Sequence, residues 1–185
     1  MRIVGGKHKG KPLSAPKGQT TRPTSDRARE SVFNVLAHGI DGVELTGARI
    51  ADIFAGTGAL GLEALSRGGS FCIFIESDKK TTTILKQNIS ALSEEKNTQV
   101  ISTLAQKAPP PPDGAVDIAF LDAPYAKGLS EQALAQLVTN GWFRRGSIAV
   151  IEVGKDEELK LPKEFSTIKE KKSGAARIIF ARFMA

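Results

Sequence analysis

An α/β fold is expected for this chain of 185 residues: a mostly parallel sheet covered by helices, with an antiparallel C-terminal hairpin and a short N-terminal β-hairpin extension. Three observations predict it. After residue 48, short apolar runs alternate with segments of helical periodicity, the pattern of parallel strands joined by crossover helices. A glycine-rich stretch, residues 52–61, joins the first apolar run to the first of those helices. The last two apolar runs, 165–170 and 177–183, lie too close together for a crossover helix, so they must pair antiparallel.

Taken in order, residues 2–6 and 11–13 read as two short strands around a Gly- and Lys-rich turn. A polar loop follows. Thr24 then offers a helix N-cap, with Asp26 in the first turn where a carboxylate meets the positive end of the helix dipole. Ala28, Val32, Val35 and Leu36 recur at helical spacing, and Gly39 closes the element. Strands are expected at 49–54, 71–75, 100–104, 116–121 and 147–153, because each is a short, nearly continuous apolar run. Helices are expected around 61–67, over 79–92 with Ile84, Leu85, Asn88, Ile89 and Leu92 on one side, and over 129–138. Residues 109–112, four prolines in succession, make a stiff surface connection. The length suits one domain with a full core: residues 1–20 as a basic extension and 21–185 as the part that carries the chemistry.

Composition narrows the class. No apolar stretch approaches the roughly 18 to 20 residues of a membrane helix, and the basic N-terminus lacks the apolar core of a signal peptide. The single cysteine, Cys72, lies inside an apolar run and is expected to be a buried structural thiol; CxxC spacing is absent and no metal site is expected. A cytoplasmic monomer fits. The net charge of +6 is confined to residues 1–30, where eight Lys or Arg face only Asp26 and Glu30. So local an excess of positive charge favours a polyanionic partner.

Two stretches carry chemistry. In Asp52-Ile53-Phe54-Ala55-Gly56-Thr57-Gly58-Ala59-Leu60-Gly61, glycines at 56, 58 and 61 match GxGxxG at a strand-to-helix turn, where a missing side chain lets the backbone approach a ligand. Alone, that pattern suits a dinucleotide equally well. Asp52 at the strand end argues otherwise, since a carboxylate beside a pyrophosphate is repelled but one beside a sulfonium or ammonium is attracted. Glu76, ending the next strand, can accept two ribose hydroxyls, and the antiparallel end is foreign to a dinucleotide domain. S-adenosylmethionine is therefore the expected cofactor.

The second stretch is Asp122-Ala123-Pro124-Tyr125, which follows the central strand. An exocyclic amine on a base is a poor nucleophile because its lone pair is delocalised into the ring. Asp122 can accept one N–H and a backbone carbonyl of the turn the other, drawing the nitrogen toward tetrahedral geometry. Pro124 stiffens the turn, and Tyr125 offers a flat face to an extruded base. The clamp serves guanine N2 and adenine N6 alike, so an adenine-N6 methyltransferase on RNA or DNA is an alternative, as is an RNA-binding ribosome-assembly protein with little turnover.

Arg22-Pro23-Thr24-x-Asp26-Arg27-x-Arg29-Glu30-x-x-Phe33-Asn34, Asp52-x-Phe54-Ala55-Gly56-Thr57-Gly58 and Gly61-Leu62-Glu63-Ala64-Leu65-Ser66-Arg67-Gly68 together resemble the RsmD family. The resemblance implies a class I methyltransferase (Rossmann-like) sheet and transfer of a methyl group from S-adenosylmethionine to guanine N2 in 16S ribosomal RNA, free or in the assembled small subunit. It implies that Phe54, Ala55, Gly56, Thr57 and Gly58 line the cofactor, that Thr24 and Arg27 lie at the cofactor or target pocket, and that Arg2, Lys7, Lys9, Lys11 and Arg22 contact RNA phosphates. Glu63 reads as structural. Two positions depart from the pattern. Ala123 stands where the family usually has Pro, and Leu104-Ala105 where many related enzymes carry Asp-Ala, so backbone groups at Leu104 are expected to meet the adenine.

Overall fold

The structure, a computed structural model, describes residues 1–16, 26–125 and 128–185. Thr24 and Arg22, and with them the expected N-cap, lie outside the described residues. Within them the chain runs α1 (Asp26–His38), β1 (Arg49–Ile53), α2 (Ala59–Ser66), β2 (Phe71–Ile75), α3 (Lys79–Ala91), β3 (Thr98–Ile101), β4 (Val116–Asp122), α4 (Leu129–Thr139), β5 (Phe143–Gly154), β6 (Phe165–Ser173) and β7 (Ala176–Phe183). Among them no helix is long and apolar enough to cross a membrane.

The strands form one sheet in the order β3-β2-β1-β4-β5-β7-β6, parallel from β3 to β5 and antiparallel for β7 and β6. After β3 the chain crosses back to lay β4 on the other side of β1. That reversal makes the carboxyl ends of β1 and β4 a topological switch point, the place where open α/β sheets bind ligands.

The central strands β1, β2 and β4 are apolar on both sides because both sheet faces are covered there. One face packs Ile50, Phe74, Phe120, Val150 and Ile178 under α1, α2 and α3; the other packs Ile53, Ile73, Leu121, Ile151 and Ile179 against α4. Burying each such side chain contributes about 1.5–3 kcal/mol. Cys72 is buried and free, as expected. Trp142, fully buried, donates its indole N–H to the Pro109 carbonyl at 2.7 Å, which ties the proline connection to the sheet.

Several boundaries differ from expectation, among them β6, which runs on to Ser173 rather than 170. The third strand lies at 98–101 rather than 100–104: as an edge strand it tolerates Thr98 and Gln99, and the chain leaves it before Leu104, which is half exposed. β5 begins four residues early because Phe143 pairs with Val116 ahead of the bulge between Val116 and Ile118. The expected N-terminal hairpin is present but short: Arg2 bridges Pro12 antiparallel, with backbone bonds from Ile3 to Lys11, Gly10 to Ile3 and Leu13 to Met1, around a short 3-10 turn at Gly6–His8.

The reason is docking. The Val4 and Gly5 amides donate to Glu63 on α2 at 2.7 and 2.8 Å, so the chain turns onto the helix rather than continuing the ladder. Ser66 accepts the His8 amide and donates to the Gly5 carbonyl. Gly6, at φ +74°, leaves no room for a Cβ, which would fall 1.8 Å from the Ser66 carbonyl oxygen. Ile3 and Leu13 are buried, so the extension is part of the core rather than an exposed hairpin.

Candidate active site

The glycine turn sits at the end of β1. Its backbone is tightly wound: Phe54 has φ +64°, an uncommon conformation for a bulky residue that costs about 1–3 kcal/mol, and Gly56 and Gly58 are left-handed as well. The Ala55 amide donates to the Ile75 carbonyl at 2.9 Å and the Gly56 amide to a Glu76 carboxylate oxygen at 2.9 Å, so the turn is held by β2. The other Glu76 oxygen accepts from the Asp78 amide at 2.8 Å.

The three glycines do different work. A Cβ on Gly61 would fall 2.4 Å from the Phe74 ring and 2.6 Å from the Cys72 sulfur, and one on Gly58 2.4 Å from Leu85, so Gly61 permits packing of α2 on β2 and Gly58 packing of the turn against α3. A Cβ on Gly56 would meet nothing closer than 4.0 Å. That position faces open space, where a ligand can approach the backbone.

Asp52 is buried and accepts the Gly61 amide at 2.8 Å. Gly61 is in the first turn of α2, whose own N-cap, Gly58, makes no side-chain bond, so the strand residue caps the helix from outside it. Burial pushes the Asp52 carboxyl well above the usual carboxylate range; the nearby charges of Asp122 and Glu76 push the same way, and the Gly61 hydrogen bond offsets only part. A folded-state pKa above the unfolded one means that stability falls as pH rises from about 4 through the raised value. Asp52→Asn keeps a carbonyl acceptor for Gly61 without the charge. Its thermal midpoint should therefore match the parent's at the acid end and exceed it increasingly as pH rises through the raised value, and a constant difference across that range would rule this out.

The second half of the site ends β4. Asp122, half-buried, stands in register with Glu152 on β5, and Tyr125 donates its hydroxyl to Glu152. Ala123 is buried and Pro124 exposed. Asp122 and Glu152 line a small apolar hollow with Val32, Leu60, Phe120, Val150 and Ile178. Asp52, Glu76 and Asp122 thus stand at the ends of β1, β2 and β4, one edge of the sheet.

Two residues beyond those read from the sequence join the site. Glu152 orients Tyr125; its only signal was an acid within an otherwise apolar run. Asn88, buried on α3, donates to the Thr57 carbonyl of the glycine turn at 2.9 Å and exchanges two hydrogen bonds with the Ser14 backbone. It joins extension, turn and helix at one point.

The basic residues of the extension are not equivalent. Lys7 is ion-paired with the buried Glu94 at 2.7 Å, beside His8 on the same carboxylate. Burial pushes the Glu94 carboxyl up, but the bonds from Asn97, Lys7 and His8 outweigh it and hold it below the usual range. Arg2 pairs with Asp26 at 3.1 Å. Lys9 and Lys11 are exposed with no salt bridge among the described residues. Leu104, at the sheet's carboxyl edge, precedes a 3-10 turn at Ala105–Lys107. Arg27 lines a cleft between α1 and β6.

A model of the family described as "Conserved hypothetical protein 95" matches residues 1–182. The chain is 36% identical over 179 residues to ribosomal RNA small subunit methyltransferase D of Escherichia coli, covering 94% of this chain and 85% of that protein. It is 35% identical over 177 residues to the protein of the same name from Haemophilus influenzae, covering 94% and 89%. The solved structure of Escherichia coli yhhF superposes with a TM-score of 0.86 at 33% identity, covering 100% of this chain and 98% of that one. With the sheet order, the glycine turn and Asp122 to Tyr125 in place, the chain belongs to the family of ribosomal RNA small subunit methyltransferase D.

Proposed function

We propose that this protein transfers a methyl group from S-adenosylmethionine to the exocyclic N2 of a guanine in 16S ribosomal RNA. The observation that carries the reading is the placement of Asp122 at the switch point, one strand away from the glycine turn and beside the hollow that Glu152 shares. A carboxylate acceptor there suits an amine that must become tetrahedral to react. The relatives' names supply the RNA target.

The residues fit the cofactor. Gly56 leaves space against the backbone, Glu76 beside the turn has a carboxylate suited to accept ribose hydroxyls, and Asp52 is a buried carboxyl whose charged form a cationic group would favour. When bound, S-adenosylmethionine supplies an electrophilic methyl on a sulfonium. The exposed apolar side chain of Leu104, three residues past the end of β3, is suited to lie against an adenine ring where related enzymes place an Asp. Asp122 accepts one N–H of the target amine; Tyr125, its hydroxyl fixed by Glu152, holds the base against its ring; Pro124 limits movement of the turn. Lys9 and Lys11 are the residues of the extension best placed for phosphate contacts.

The test uses tritiated S-adenosylmethionine and small subunits from a strain lacking the gene, followed by nucleoside mass spectrometry. N2-methylguanosine is the expected product. N6-methyladenosine would move the target to the other amine that the clamp serves, and retained subunit binding without label would identify a binding protein instead.

A further inference from the structure

An open cleft of about 620 Å³ lies between α1 and the edge strand β6, away from the glycine turn in the sheet order. Arg27, Ser31, Asn34 and His38 line it from the helix, and Lys169, Lys171 and Ser173 from the strand, with Glu30 as its one acid among the described residues. Lys169 and Lys171 are exposed. Residues two apart on a strand share a face and are spaced about 7 Å, so Lys169, Lys171 and Ser173 form a row of donors with the spacing of consecutive phosphates along a nucleic-acid strand.

This row is aligned with the candidate active site. Across the sheet Asp122 pairs with Glu152, Glu152 with Ile178, and Ile178 with Lys171, so Asp122 and Lys171 occupy one line three strand spacings apart, about 14 Å. Ile178 packs in the core layer under α1, so Lys171 rises on the helix-covered face, the face of the hollow that Asp122 and Glu152 line. A single strand whose target base is held at Asp122 would lay its neighbouring sugar-phosphates along β6.

We propose that the α1–β6 cleft binds the sugar-phosphate backbone of the RNA next to the target nucleotide, through Arg27, Lys169 and Lys171. The inference rests on the RNA-methylating reading above. It assigns to the opposite end of the sheet a phosphate track separate from the N-terminal extension.

The experiment compares Lys169→Glu/Lys171→Glu with Lys172→Glu, which changes charge on the other face of the same strand. Binding of a short single-stranded RNA to the whole protein is measured across a salt series, and methyl transfer to small subunits gives KM and kcat. In the double variant, RNA affinity should fall roughly tenfold or more at low salt, and the slope of log affinity against log salt should flatten by about 1.4, near 0.7 for each lost phosphate contact. KM for subunits should rise with kcat and S-adenosylmethionine affinity unchanged, while Lys172→Glu keeps most of the parent's affinity. Should Lys172→Glu weaken RNA as much as the double variant, or the double variant keep the parent's slope, the cleft is not the track. Should the parent protein transfer no methyl to subunits, the functional reading fails on its own, and the salt slopes still decide whether the cleft binds RNA.

Discussion

Asp122→Ala is expected to lower methyl transfer by roughly 10²–10³-fold while S-adenosylmethionine binds almost as before. The two effects separate because the proposed cofactor contacts lie at the ends of β1, β2 and β3, whereas Asp122 ends β4 and faces the hollow shared with Glu152. The loss should fall on kcat, since an acceptor that matters only as the amine becomes tetrahedral contributes little to ground-state binding. Asp122→Asn retains one carbonyl acceptor and should lose less. Tritium transfer to small subunits gives the first quantity and calorimetric titration with S-adenosylmethionine the second. Equal loss of both would place Asp122 in cofactor binding or in folding, and its catalytic role would be withdrawn.

The largest expected effect on stability comes from Glu63. This carboxylate has no solvent exposure and accepts from the Val4 and Gly5 amides and, at 2.7 Å, from Arg67, with the equally buried Arg29 at 3.6 Å. Glu63→Ala leaves two amides and a buried guanidinium short of an acceptor. Breaking such a pair costs about 3–5 kcal/mol. For a domain of this size that corresponds to a fall in Tm of roughly 6–20 °C. Hydrogen exchange should show the Val4 and Gly5 amides losing protection first. A Tm within a degree or two of the parent's would mean that the extension is held chiefly by Ile3 and Leu13.

The parallel strands were legible because both their faces are buried, which leaves a continuous apolar signature in the sequence. β2 matches its expected bounds at both ends for this reason. β3 and β6 were less so, because an edge strand mixes exposed and buried positions and its limits depend on a neighbour's register. The sheet order could not be read, since it is decided by which crossovers pack together rather than by any one segment. In the site, Asp52, Glu76 and Asp122 were legible because strand ends after apolar runs are places that sequence marks. Glu152 and Asn88 were not, because each acquires its role only through partners far away in the chain: Tyr125 for the one, Thr57 and Ser14 for the other. The same limit explains the N-terminal extension. A hairpin pattern is local, but Glu63 takes the amides from 58 and 59 residues away.

That separation has a consequence for synthesis on the ribosome. The extension is made well before its anchors: Glu63 and Ser66 on α2, Asn88 on α3, and Glu94, which is 86 residues beyond His8. At typical elongation rates the extension waits roughly 4 to 17 s for its last anchor. During that interval Ile3 and Leu13 have no core to enter, and Lys7 has no carboxylate to meet. The extension thus settles only once about half of this chain has been made, and the glycine turn, tied to it through Asn88, reaches its final hydrogen bonding only when the extension closes.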